Sequence, residues 1–208
     1  TTYSLLPFFN IYITTQTKNN FIVNRLQEGK EVISQILADE GIIESIAIAS
    51  DECVRRISEM SGKIFFMGNG GSAADAQHLA TELVSRYLKE RAAIPAIALT
   101  TDTSAITAIG NDYSFERIFS RQLEALSGPS DVVIGISTSG NSANVNRAIE
   151  TAAEIGCFTI AFTGKMGGEL AKIADLPIIV PSDKVPLIQQ AHISIGHIIC
   201  EMIEEALQ

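Results

Sequence analysis

The stretch KIFFMGNGGSAADAQHLATELV, residues 63–84, changes character twice. KIFFMG at 63–68 is a short apolar run following Gly62, the pattern of a strand buried on both faces. GNGGSAAD at 68–75 then puts glycines and small residues where the chain must turn, and a helix is expected from near Ser72. On that helix His78, Glu82 and Arg86 recur every fourth residue and so share one face. Strand, glycine turn and helix in this order form the first half of a parallel crossover unit.

The same alternation continues downstream. Further strands are expected at AIALT 96–100, DVVIGIS 131–137, CFTIAFTG 157–164 and LPIIVP 176–181, with helices beginning near Ser114, Ser142 and Gly168. A long helix from about Pro186 to Leu207 closes the chain, with proline in a first turn that needs no N–H from it. Upstream, Phe21 to Leu37 and Ile42 to Met60 carry apolar residues at helical spacing and form an N-terminal helical arm. The fold expected is α/β, a doubly wound three-layer sandwich around a five-stranded parallel sheet of flavodoxin-like order 2-1-3-4-5. Residues 21–208 read as one domain, and residues 1–20 stay unassigned.

Composition agrees. The 208 residues are 46% hydrophobic and 19% charged, with 15 Gly and 6 Pro, which suits a compact fold with a full core. A formal net charge of −9 repels polyanions, so nucleic acid is not expected as a partner. No run is long enough to span a membrane, and the apolar stretch Leu5 to Ile13, broken by Pro7 and Asn10, fails as a secretory signal. Cys53, Cys157 and Cys200 are odd in number, lack CxxC spacing and read as reduced thiols of a cytoplasmic protein.

In the order 2-1-3-4-5 the first and third strands are neighbours whose crossovers leave in opposite directions, and ligands bind in the crevice between them. Two loops flank it: GNGGSAAD at 68–75 and STSGNS at 137–142. Gly70 and Gly71 allow close backbone approach, Ser72 can cap the next helix, and Ser137, Thr138, Ser139 and Ser142 add hydroxyls. Such an uncharged cradle suits a phosphate monoester held by N–H donors, hydroxyls and helix dipoles. No Lys follows the glycines and GxGxxG is absent, which excludes a nucleotide P-loop and the dinucleotide fingerprint. An imidazole and a carboxylate one turn apart, His78 and Glu82, can share a metal or act as an acid/base pair. The final helix carries Gln189, His192 and His197; His192 reads as a core histidine. Gln189 and His197 are separated by ~12 Å of helical rise, so one ligand meets both only by lying between them or through a second subunit.

The segments FFMGNGGSAADAQHLATEL, PAIALTTDTSAITAIGND, ISTSGNS and IQQAHISIGHIICEMIE resemble, in order, the signature segments of the phosphoheptose isomerase family of the sugar isomerase (SIS) fold. These bacterial enzymes make D-glycero-D-manno-heptose 7-phosphate from sedoheptulose 7-phosphate. The resemblance implies that Asn69, Gly70, Gly71 and Ser72, with Ser137, Thr138, Ser139 and Ser142, hold the phosphate and nearby oxygens. Asn111 and Asp112 would contact the sugar, with Arg86 near it or the phosphate. Glu82 and His197 match the family's acid/base residues. In zinc-bound members the ligands match His78, Glu82, Gln189 and His197, so Zn²⁺ is the expected cofactor. A homotetramer with active sites at subunit contacts is also implied. The chain departs from the family beside Gln189, with Leu187 in place of an Arg and Gln190 in place of a Glu. Two other readings are a non-catalytic SIS protein that binds the replication initiator DnaA and another sugar-phosphate-binding SIS module. The former is expected to lack counterparts of Glu82 and His197.

Overall fold

A computed structural model describes residues 15–208. Five strands, β1 (Ile64–Gly68), β2 (Ala96–Ala98), β3 (Val132–Ser137), β4 (Phe158–Gly164) and β5 (Leu176–Val180), form one parallel sheet in the order β2-β1-β3-β4-β5. The helices are α1 (Thr15–Ala38), α2 (Glu40–Met60), α3 (Gly71–Val84), α4 (Thr103–Asp112), α5 (Ser120–Leu126), α6 (Ala143–Ile155), α7 (Leu170–Ile173) and α8 (Val185–Ala206).

Every residue of β1 and β3 is buried, because both faces of the sheet are covered. Alternate side chains go to opposite layers. Ile64 and Phe66 join Cys53 of α2, Leu79 of α3 and Ile195 of α8 on one face. Phe65 and Met67 join Leu123 of α5, Ile149 of α6 and Leu170 of α7 on the other. The expected α/β sandwich and strand order are therefore present, with α1 lying along α2 and α8.

Several local expectations are corrected. The segment after β2, left without regular structure in the sequence reading, is helix α4. Asp102 caps it by accepting from the Ala105 N–H at 2.9 Å, and Ile106 and Ile109 pack on the core beneath. No α-helix starts at Ser114: a 3₁₀ turn at Phe115–Arg117 precedes α5. The helix expected near Gly168 shrinks to the short α7. At the other end α1 starts at Thr15, ahead of Phe21, so part of the segment left unassigned is helical; residues 1–14 lie outside the described residues.

Candidate active site

The two loops flanking the crevice are neighbours because β1 pairs with β3, Gly68 standing opposite Ile136. Their helices diverge, α3 to one face and α6 to the other. Ser72 does not cap α3. The N-cap is Gly70, at φ 56°, ψ −120°, a backbone geometry that favours glycine, and Ser72 is buried inside the first turn. Ser142 occupies the N-cap of α6 but pairs its hydroxyl with Ser137 Oγ at 2.9 Å. Gly70 brings no side chain and that of Ser142 bonds no helix N–H, so neither N-cap residue covers the helix start behind it. Ser139 Oγ accepts from Asn141 N–H at 3.2 Å, tightening the 137–142 turn, and Thr138 is half-buried within it.

Asn69 joins the loops. Its amide and that of Asn144 exchange two hydrogen bonds, each 2.8 Å, while Asn144 Oδ1 also accepts from Val145 N–H at 3.0 Å. Asn144 is buried. Sequence reasoning missed it; the only signal was a second asparagine following the serine turn.

About two turns along α3 the second group assembles. His78 Nε2 lies 2.9 Å from Glu82 Oε1 and 3.2 Å from His197 Nε2. The three donor atoms fall within 4.8 Å of one another. What brings α8 so near is Gly196: a Cβ there would stand 2.6 Å from the Leu79 side chain. Helices α3 and α8 run in the same direction, since Gly71 meets Gln189, Leu79 meets Gly196 and the segment after α3 meets Glu204. Gln189 sets its amide against Gly71, where a side chain would collide with it. The 12 Å separation read from α8 is thus matched by the distance along α3 from glycine loop to histidine.

The His78, Glu82 and His197 donors fit a tetrahedral zinc ion. With Zn–N distances of ~2.0 Å the edges of the tetrahedron are ~3.3 Å, close to the two separations measured from His78. Asp75, one turn before His78, has a buried Oδ2 with no hydrogen-bond partner. Burial pushes its carboxyl above the usual range, opposed by charge on His78 and His197. Tyr87 stacks on the His197 ring, centroids 5.5 Å apart and 24° from parallel. Neither Asp75 nor Tyr87 was singled out from sequence.

The remaining expected residues are more dispersed. Arg86 is exposed just beyond α3. Asn111 and Asp112 end α4, exposed and bonded to each other at 2.8 Å. His192 is a core residue, 1% exposed, its Nε2–H donating to Thr163 O at 3.0 Å. Of the departures beside Gln189, Leu187 packs on the core, while Gln190 is exposed and lies against Gly29 of α1.

A glycine loop and a serine loop meeting at a sheet switch point, with an imidazole–carboxylate cluster about two turns away, are the arrangement expected of a domain of the SIS class. The chain matches the SIS domain family over residues 25–164. Phosphoheptose isomerase of Trichlorobacter lovleyi is 50% identical, covering 90% of this chain and 94% of that protein. That of Geotalea daltonii is 52% identical over 86% and 96%. The solved phosphoheptose isomerase of Neisseria gonorrhoeae superposes with a TM-score of 0.85 at 39% identity, covering 91% and 100%. The chain belongs to the phosphoheptose isomerase family of SIS-domain proteins, and is an aldose–ketose isomerase.

Proposed function

We propose that the protein converts sedoheptulose 7-phosphate to D-glycero-D-manno-heptose 7-phosphate through an enediolate. The observation that carries this is the joining of two sites by one pair of parallel helices. The glycine loop and the His78–Glu82–His197 cluster are seven residues of α3 apart, ~10 Å of rise, less the backward lean of helical side chains. An open seven-carbon chain phosphorylated at one end has its carbonyl at the other, so tail and reacting carbons need two such stations.

The 7-phosphate docks on the N–H groups opening α3 and α6 and on the hydroxyls of Ser137, Ser139 and Ser142. Its binding energy positions the far end of the sugar. Glu82 and His197 then share the proton moves. One proton leaves carbon 1, its electron pair forms the C1–C2 double bond as the carbonyl electrons pass to O2, the hydroxyl proton of O1 is handed to O2, a proton returns to carbon 2, and O1 becomes the aldehyde oxygen. His78, Glu82 and His197 would hold Zn²⁺, which supplies Lewis-acid polarisation of the substrate carbonyl when bound, whereas Gln189 of the same chain stands at Gly71, away from this cluster, and would join it only from a second subunit. Without the metal, His78 Nε2 meets the Glu82 carboxylate directly.

Assembly into a homotetramer in the cytoplasm is part of the same proposal. It is supported by the exposure of Phe21, Leu26 and Leu37 along α1 and of Ile198 beside His197, and by three buried free thiols. No helix among the described residues is long and apolar enough to cross a membrane. The presence of Glu82 and His197 in one cluster around His78 speaks for the enzyme over the non-catalytic DnaA-binding reading. An NMR assay of heptose 7-phosphate formation, run with and without chelator, tests the proposal; absence of turnover from folded, metal-replete protein would refute it.

A further inference from the structure

Near the end of α8, two turns after His197 on the same face, Glu204 is 1% exposed. Its carboxylate accepts three backbone N–H bonds, from Tyr87 at 2.9 Å, Leu88 at 2.7 Å and Lys89 at 3.0 Å. Arg91 Nε lies 3.1 Å from Glu204 Oε1 as an ion pair, without the alignment of a hydrogen bond, and its side chain is 2% exposed. The rest of the Arg91 guanidinium turns to the carbonyls that end α3, donating to Glu82 O and Leu83 O, each at 2.8 Å. Burial pushes the Glu204 carboxyl up, but the three N–H donors and Arg91 outweigh it and hold it below the usual carboxylate range.

A buried charge with no access to water needs such partners, yet these are unevenly placed. All the backbone donors come from the stretch that carries Tyr87, and Tyr87 is the residue whose ring lies on His197. Arg91 grips the turn that carries Glu82. Both groups assigned to proton transfer are therefore tied to one carboxylate that touches neither.

We propose that Glu204 is a positioning residue for the isomerase: it anchors the 87–89 segment so that Tyr87 braces the His197 imidazole, and through Arg91 it fastens the helical turn bearing Glu82. The inference rests on the proton-transfer roles given to Glu82 and His197 above. A well-placed acid/base group loses rate steeply when it drifts, while a phosphate tail held elsewhere continues to bind.

The test uses full-length Glu204→Gln, Tyr87→Ala and Tyr87→Phe enzymes. Glu204→Gln and Tyr87→Ala are expected to lower kcat about tenfold or more with KM held within about twofold, and Tyr87→Phe, which keeps the ring, to restore it. The chain has 3 His, so the imidazole NMR signals are separable. In metal-free Glu204→Gln the His197 signal should move to its Tyr87→Ala position, because the ring that shields it has left, while His192 stays put. A folded Glu204→Gln enzyme with wild-type kcat and an unmoved His197 signal overturns the proposal. If Glu204→Gln does not fold, unchanged kcat in Tyr87→Ala does so. A His197→Gln control that turns over normally instead refutes the parent assignment, and the ring shifts tell the two failures apart.

Discussion

His78 Nε2 stands 3.2 Å from His197 Nε2, two ring nitrogens from helices 119 residues apart in sequence. At that distance one nitrogen must carry the proton and the other accept it, or a cation must lie between them. Glu82 Oε1 stands 2.9 Å from the same His78 nitrogen, so three groups able to carry a proton or bind a metal meet at one point.

If Glu82 and His197 move the protons, Glu82→Gln and His197→Gln should each lower kcat by ~10² to 10⁴. Folding should be retained, as both groups are at least partly solvent-accessible. Turnover measured beside circular dichroism checks this; a near wild-type rate removes that residue from the mechanism.

Protein purified without chelator should contain zinc at one equivalent per chain, and His78→Ala should lower that content. Chelation should abolish most turnover and added Zn²⁺ restore it. Metal analysis without stoichiometric zinc would leave acid/base chemistry alone to explain the rate.

Ser137→Ala combined with Ser139→Ala removes hydroxyls from the cradle and should weaken sugar-phosphate binding by about 2 kcal/mol, ~30-fold in Kd. Asn144→Ala should do so as well without touching the ligand, by releasing the Asn69 bridge between the loops. Calorimetry with the phosphorylated sugar reads both. Unchanged affinity in the double variant would show that the phosphate lies elsewhere.

His192 makes stability acid-sensitive. Burial lowers its pKa from 6.5 to about 4, opposed by the Thr163 carbonyl. The unfolded chain therefore takes up a proton that the folded one refuses. No cost exists above pH 6.5; below it stability falls, levelling off under pH ~4 after a loss of about 3 kcal/mol. Urea midpoints across this range should show the decline, and His192→Asn should flatten it.

Gly196→Ala places a methyl 2.6 Å from Leu79, which is itself buried. Overpacking of this kind costs about 1 to 3 kcal/mol and should push α8 off α3. Denaturation should report the loss, and turnover should fall because His197 recedes from His78.

Much of this was legible before folding. Uniformly apolar runs such as IFFMG and VVIGIS can satisfy only a sheet covered on both faces, and the helices between them force parallel strands. The four-residue spacing of His78 and Glu82 puts them together on any helix. By contrast, α4 was invisible because TDTSAITAIGND is rich in residues that favour turns. Its helix depends on the Asp102 cap and on a core that Ile106 and Ile109 find only once the sheet exists.

Local pattern thus dictated the strands, the glycine turn and one half of the cluster, since backbone sterics and hydrophobic periodicity act within a few residues. The meeting of His197 with His78, the Asn69–Asn144 bridge and the anchoring of Tyr87 by Glu204 arise from groups 75 to 119 positions apart. Their contact follows from how closely two helices pack at Gly196 and how one carboxylate is desolvated, and neither quantity exists until the layers have closed.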